Sequence, residues 1–140
     1  GSAALWQTGY LKSRVLDVIE NYGRRTAILD VSFTCHMPDT LEMPYRPEVK
    51  GGSTEKTETG YAYRLGGVSC LAGDYLDDYW FSQPLLAGDE IVFMDMLHYT
   101  TVKTTTFNGV QHPMLCIQKK DGSVNVLRNF DFEDYEAGLG

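Results

Sequence analysis

The sequence has no apolar run near the roughly 18 residues a membrane-spanning helix needs, and its first residues lack a basic stretch followed by an apolar one. No membrane partner is expected, and the reading is of a cytoplasmic chain. Cysteine is scarce: Cys35, Cys70 and Cys116 are an odd number with no CxxC spacing. That argues against a disulfide framework and a cysteine-rich zinc site, leaving free thiols and no metal centre. Basic residues are also few, 12 Lys and Arg against 19 Asp and Glu, for a formal net charge of -7. Nucleic acid is excluded as a partner, because phosphate neutralisation needs clustered cations and these are dispersed. Net negative charge of this size is shared by many acidic proteins and selects no ligand by itself. No repeat and no pair of long amphipathic helices is visible.

What is present is a 140-residue chain, 43% hydrophobic and 12% aromatic, enough for one core and one domain. Short β-prone runs alternate with turn signals. Gly9 to Ile19 and Arg25 to Phe33 read as strands joined at Asn21-Tyr22-Gly23. Three prolines between Cys35 and Pro47 predict a loop, and the polar run from Lys50 to Gly60 predicts a solvated hairpin tip. Tyr61 to Val68 reads as a strand, Cys70 to Phe81 as a loop with one helical turn, and Glu90 to Met96 as a strand. Thr100 to Phe107 reads as a strand ending at Asn108-Gly109. Pro113 to Lys119 and Ser123 to Arg128 flank Asp121-Gly122 as a hairpin, and Asp131 to Glu136 forms a terminal turn or helix. Seven or eight short strands at this spacing predict a mainly β chain, either a Greek-key-like barrel or a sandwich, because closure removes the edges that short-stranded sheets otherwise present.

Candidate chemistry lies where strands meet loops. Cys116, on an apolar strand, reads as inert core. Cys70 follows two glycines and precedes Gly73-Asp74, so its thiol either projects from a turn as a reactive group or is a small buried residue. His36 beside Cys35 has no second ligand pair, which disfavours a metal site, and neighbours on a strand face opposite ways. Asp74 is either a turn-stabilising carboxylate or a site residue, and Tyr99 either a packing ring or a ligand contact.

The runs from Gly66 to Asp74 (GGVSCLAGD), Leu86 to Phe93 (LAGDEIVF), His98 to Thr100 (HYT) and Thr106 to Gly109 (TFNG) resemble, in order, landmarks of the ornithine and diaminopimelate decarboxylase superfamily. Ile28 to Asp39 (ILDVSFTCHMPD) and Leu41 to Pro47 (LEMPYRP) are more similar to the carboxynorspermidine decarboxylases within it. The resemblance implies an alanine-racemase-like enzyme: an amino-terminal (β/α)8 domain with the cofactor, then a β-barrel domain that completes a neighbouring subunit's active site in a homodimer. Only the second domain is matched, over residues 1–140, and the (β/α)8 domain is an expected partner. The implied reaction is pyridoxal-phosphate-dependent decarboxylation of carboxynorspermidine or carboxyspermidine to norspermidine or spermidine.

By the same resemblance Cys70 is the catalytic thiol that protonates the carbanionic intermediate. Asp39 and Asp74 are substrate-binding carboxylates suited to ammonium groups, and Tyr99 contacts the cofactor phosphate. His36 and Arg46 line the same pocket, Arg46 suiting a carboxylate. Leu71 stands where the ornithine enzyme has an acidic residue. None of the six lysines lies in a matching Schiff-base motif. Gly1-Ser2 reads either as the end of the family's Glu-Pro-Gly segment, which Ala3 to Tyr10 continues, or as a remnant of cloning. Two competing readings remain: a non-catalytic β-barrel binding module, and a diaminopimelate or ornithine decarboxylase relative.

Overall fold

The computed structural model describes residues 9–97 and 103–138 and contains eight strands, with the sheet order β3-β5-β4-β2-β1-β6 and a separate β7-β8 pair. The long strand β1 (Tyr10–Asn21) serves two neighbours. Its first half pairs antiparallel with β6 (Glu90–Met94), its second half with β2 (Arg24–Leu29). A register shift between Val15 and Asp17 divides the halves; an extra residue there bends the strand and increases its twist, which curls the sheet. The β1-β2 connection is the predicted tight turn, with Tyr22 and Gly23 both at positive φ, 50° and 74°, as a two-residue hairpin requires.

β2 runs parallel to β4 (Tyr61–Gly66), which pairs antiparallel with β5 (Tyr75–Phe81), and β5 takes the short β3 (Gly52–Ser53) at its far side. Just before β3, Lys50 N–H donates to Val92 C=O (3.0 Å) and Met94 N–H to Glu48 C=O (2.8 Å). The 48–53 segment therefore links the two outer strands, and the sheet curls as the barrel expectation requires. Alternate side chains turn inward: Ala27 and Leu29, Tyr63 and Leu65, Ile91 and Phe93 are all buried. Phe33 closes one end, edge-on to Phe93 at 5.9 Å between ring centroids.

Three local expectations are corrected. Residues 75–81 form strand β5, not a helical turn. Tyr63 pairs with Tyr79 but Leu65 pairs with Leu76, so a bulge at Asp77-Asp78 puts two inward residues three apart, a spacing that imitates a helix in sequence. The proline-bounded segment expected as a loop holds two one-turn helices, α1 (Phe33–His36) and α2 (Asp39–Glu42). The Ser32 hydroxyl caps α1 by accepting from Cys35 N–H at 3.1 Å, and Pro38 opens α2, where its missing donor costs nothing. The strand expected from Thr100 to Phe107 falls partly outside the described residues. Its described part is irregular and ends in a 3-10 turn at Phe107–Gly109, because Thr105 N–H donates to Cys35 C=O (2.8 Å) instead of to a ladder.

The hairpin of β7 (Leu115–Gln118) and β8 (Val124–Arg128) lies apart from the main sheet, every residue exposed, so Cys116 is an exposed thiol and not the core residue expected; α3 (Phe132–Gly138) follows. Among the described residues no helix is long and apolar enough to cross a membrane.

Candidate active site

The site is organised around α1, which anchors a loop on each side. On one side is the β4-β5 loop, residues 67–74, carrying Cys70. Asp74, only 4% exposed, holds this loop: one carboxylate oxygen accepts from Thr34 N–H at the start of α1 (2.9 Å), the other from Ser69 N–H (3.0 Å). Asp74 C=O also accepts from Gly67 N–H (2.7 Å), and Val68 N–H donates to Val31 C=O (3.0 Å). Gly67 must be glycine here, because a methyl at its Cα would sit 2.4 Å from an Asp74 carboxylate oxygen. With both ends tied, Cys70 is left exposed at the loop's outer face.

On the other side, the segment 105–111 is held to the end of α1. Thr105 N–H donates to Cys35 C=O, the buried Cys35 thiol donates to Phe107 C=O (3.3 Å), and His36 reaches Gln111 C=O (3.0 Å). The tautomer of His36 follows from its partners. Nδ1 accepts from Ser32 N–H at 3.2 Å, so Nε2 carries the proton donated to Gln111. At the tip of this segment the Asn108 amide donates to Cys70 Sγ at 2.8 Å, joining the two loops.

Burial, first, pushes the His36 pKa below its ordinary value; the nearby His112 lowers it further, while the Gln111 carbonyl, Asp74 and Asp30 act the other way. In the unfolded chain this histidine takes a proton below about pH 6.5, whereas the folded ring resists until a lower pH. Stability is therefore expected to fall as pH drops from about 6.5 through the depressed folded value. Thermal melts across that range should show the loss, and a His36→Gln chain should show a smaller one.

Asp39 and Arg46 lie elsewhere. The half-buried Asp39, at the start of α2, accepts from the Tyr45 hydroxyl at 2.8 Å. Tyr45 and Arg46 line an open groove of about 740 Å³ whose other walls include Gly73, Tyr75 and Trp80. Arg46 Nη1 donates to Asp78 C=O (2.6 Å), and Tyr79 OH donates to Pro47 C=O (2.7 Å), fixing the segment against β5. The Asp77 and Asp78 carboxylates at the groove pair with Arg24 at 3.0 and 2.9 Å. Gly73, next to Asp74, is thus where the Cys70 loop meets the groove. Cys70, Asp74 and His36 are brought together by α1, while Asp39 and Arg46 sit on the α2 and groove side. Tyr99 lies outside the described residues.

Residues 7–96 match the family described as the pyridoxal-dependent decarboxylase, C-terminal sheet domain. The chain belongs to this family. Over all of its length this sheet domain is 57% identical to a carboxyaminopropylagmatine decarboxylase of Synechocystis, covering 36% of that protein. It is 43% identical over 96% of its length to a carboxynorspermidine/carboxyspermidine decarboxylase of Campylobacter jejuni, covering 38% of it. The crystal structure of carboxynorspermidine decarboxylase complexed with norspermidine, also from Campylobacter jejuni, superposes on 99% of the chain with a TM-score of 0.93 and 42% identity, covering 40% of that protein. The sheet domain thus spans little more than a third of the length of the curated relatives it matches.

The family is pyridoxal-dependent, and the residues here suit one part of that chemistry. All six lysines are exposed, and Lys103 is paired with Glu42 at 2.7 Å; none offers the enclosed amine that carries a pyridoxal cofactor. What the sheet domain presents is an exposed thiol on a pinned loop. Sequence reasoning assigned no role to Asn108, Thr34 or Ser32. The Asn108-Gly109 pair carried a signal, since Asn tolerates the left-handed backbone found there, φ 57°, but nothing in the sequence says that its amide meets Cys70.

Proposed function

We propose that the chain is the sheet-domain part of a decarboxylase that removes carbon dioxide from carboxynorspermidine or carboxyspermidine, with pyridoxal phosphate as cofactor. The observation that carries this is the 0.93 superposition, over nearly the whole chain, on an enzyme named for that substrate. The cofactor, when bound, supplies an electron sink for the carbon that loses its carboxylate. The lysine that holds it, and the (β/α)8 domain that houses it, belong to a further portion of the polypeptide, and the working unit is a homodimer with shared sites.

In this reading Cys70 delivers its thiol proton to that carbon, so that one proton replaces the departing carbon dioxide. Asp39 accepts charge-assisted hydrogen bonds from an ammonium of the substrate, with the Tyr45 hydroxyl orienting its carboxylate. Arg46, on the groove, faces a carboxylate, and Tyr99 contacts the cofactor phosphate. Asp74 and His36 have their hydrogen-bonding groups engaged within the chain. Their role is to position the Cys70 loop and the 105–111 segment.

A second reading within the same chemistry is favoured by the 57% identity to a relative named for carboxyaminopropylagmatine. The two differ in the distal end of the substrate, an ammonium or a guanidinium. Carbon dioxide release by the full-length protein, supplied with pyridoxal phosphate and each of the three carboxylated amines in turn, separates them. Release from carboxynorspermidine or carboxyspermidine is the expected result. Preference for carboxyaminopropylagmatine moves the assignment to the second reading, and no release from any of the three overturns both.

A further inference from the structure

We propose that Asn108 is a positioning residue for Cys70, its side-chain N–H aimed at the sulfur so that the thiol is held in one orientation. This rests on the reading of Cys70 as proton donor. The two residues are 38 positions apart and meet at 2.8 Å, Asn108 Nδ2 donating to Cys70 Sγ. Because the sulfur accepts this bond, the thiol's own hydrogen is not spent on Asn108.

The meeting is built from both directions. Asp74 ties the Cys70 loop to the first residues of α1 through Thr34. Cys35 and His36, at the end of the same helix, hold Phe107 and Gln111 on either side of Asn108. A single turn of helix thus sets the positions of both partners. The backbone at Asn108 is left-handed, φ 57°, a conformation that Asn, Asp and Gly tolerate and most residues resist. Asn alone among these three carries a side-chain N–H, so the position combines a turn requirement with a donor requirement.

The test is alkylation of Cys70 by iodoacetamide at neutral pH in the full chain. A Cys116→Ser background leaves Cys70 as the exposed thiol, since Cys35 is buried. Asn108→Gly keeps the turn and removes the donor; Asn108→Asp keeps the turn and puts a carboxylate beside the sulfur. Removing a hydrogen bond made to the sulfur of the attacking thiolate is expected to slow Asn108→Gly by about threefold, since attack rates follow thiolate character only in part. Asn108→Asp should be slower still, through like-charge repulsion. A merely structural role predicts the opposite sign for the glycine variant, because a loosened loop exposes the thiol and speeds its reaction. Unchanged or faster alkylation in Asn108→Gly, or a rate in Asn108→Asp above that of Asn108→Gly, overturns the proposal. Failure here with turnover still lost in Cys70→Ala removes the role of Asn108 alone. Slowed alkylation with turnover retained in Cys70→Ala removes the catalytic reading and leaves the contact.

Discussion

If the proposed function holds, replacing Cys70 by alanine in the full-length protein is expected to lower amine formation by about 100- to 10,000-fold, the range typical of a positioned proton donor. The fold should survive. Cys70 is exposed, and its loop is held by Asp74 and by backbone bonds to Val31 and Leu71 that the substitution leaves in place. Destabilisation of about 1 kcal/mol or less is the general expectation for such a site. The informative measurement is the ratio of amine formed to carbon dioxide released. A lost donor lets protonation occur at the wrong carbon, so the ratio should fall even where carbon dioxide release persists. If turnover and the ratio were unchanged while the melting temperature dropped sharply, Cys70 would be a structural thiol and the assignment would be withdrawn.

Much of the sheet was legible because its signals are local. Alternation marks β2, β4 and β6, and the Tyr22-Gly23 and Asp121-Gly122 turns mark the hairpins through the positive φ of their glycines. What escaped was set by distant partners. The bulge at Asp77-Asp78 exists because β5 must match β4, and it disguised a strand as a helical spacing. α1 was hidden for a different reason: its one turn is stabilised by a Ser32 cap and by packing of Phe33 on Phe93, 60 positions along the chain. The site divides in the same way. A resemblance in motif singled out Cys70, Asp74 and His36 together, yet only the hydrogen bonds show that the latter two hold backbone groups on either side of α1. Asp39 and Arg46 carry opposite charges, but sequence offers no means of seeing that α2 and the groove place them apart from α1.

Asp74 should be the most costly of the site residues to remove. Its carboxylate is the acceptor for Thr34 and Ser69 N–H groups in a setting where it is 4% exposed. Asp74→Ala takes the acceptor from both part-buried donors, at about 1–3 kcal/mol for each, so a loss of roughly 2–6 kcal/mol is expected against a typical domain stability of about 5–15 kcal/mol. Gly67→Ala attacks the same contact from the other side, since its new methyl would lie 2.4 Å from the carboxylate; overpacking of this kind costs about 1–3 kcal/mol. The two effects share one cause and must not add. Once Asp74 is alanine there is no carboxylate for the methyl to meet, so Gly67→Ala should cost almost nothing in that background, and the double variant should be little less stable than Asp74→Ala alone. Denaturant melts of the four chains measure this directly. Strict additivity would mean that the loop gives way around the methyl without disturbing the carboxylate, and that Asp74 is not the latch holding Cys70 in place.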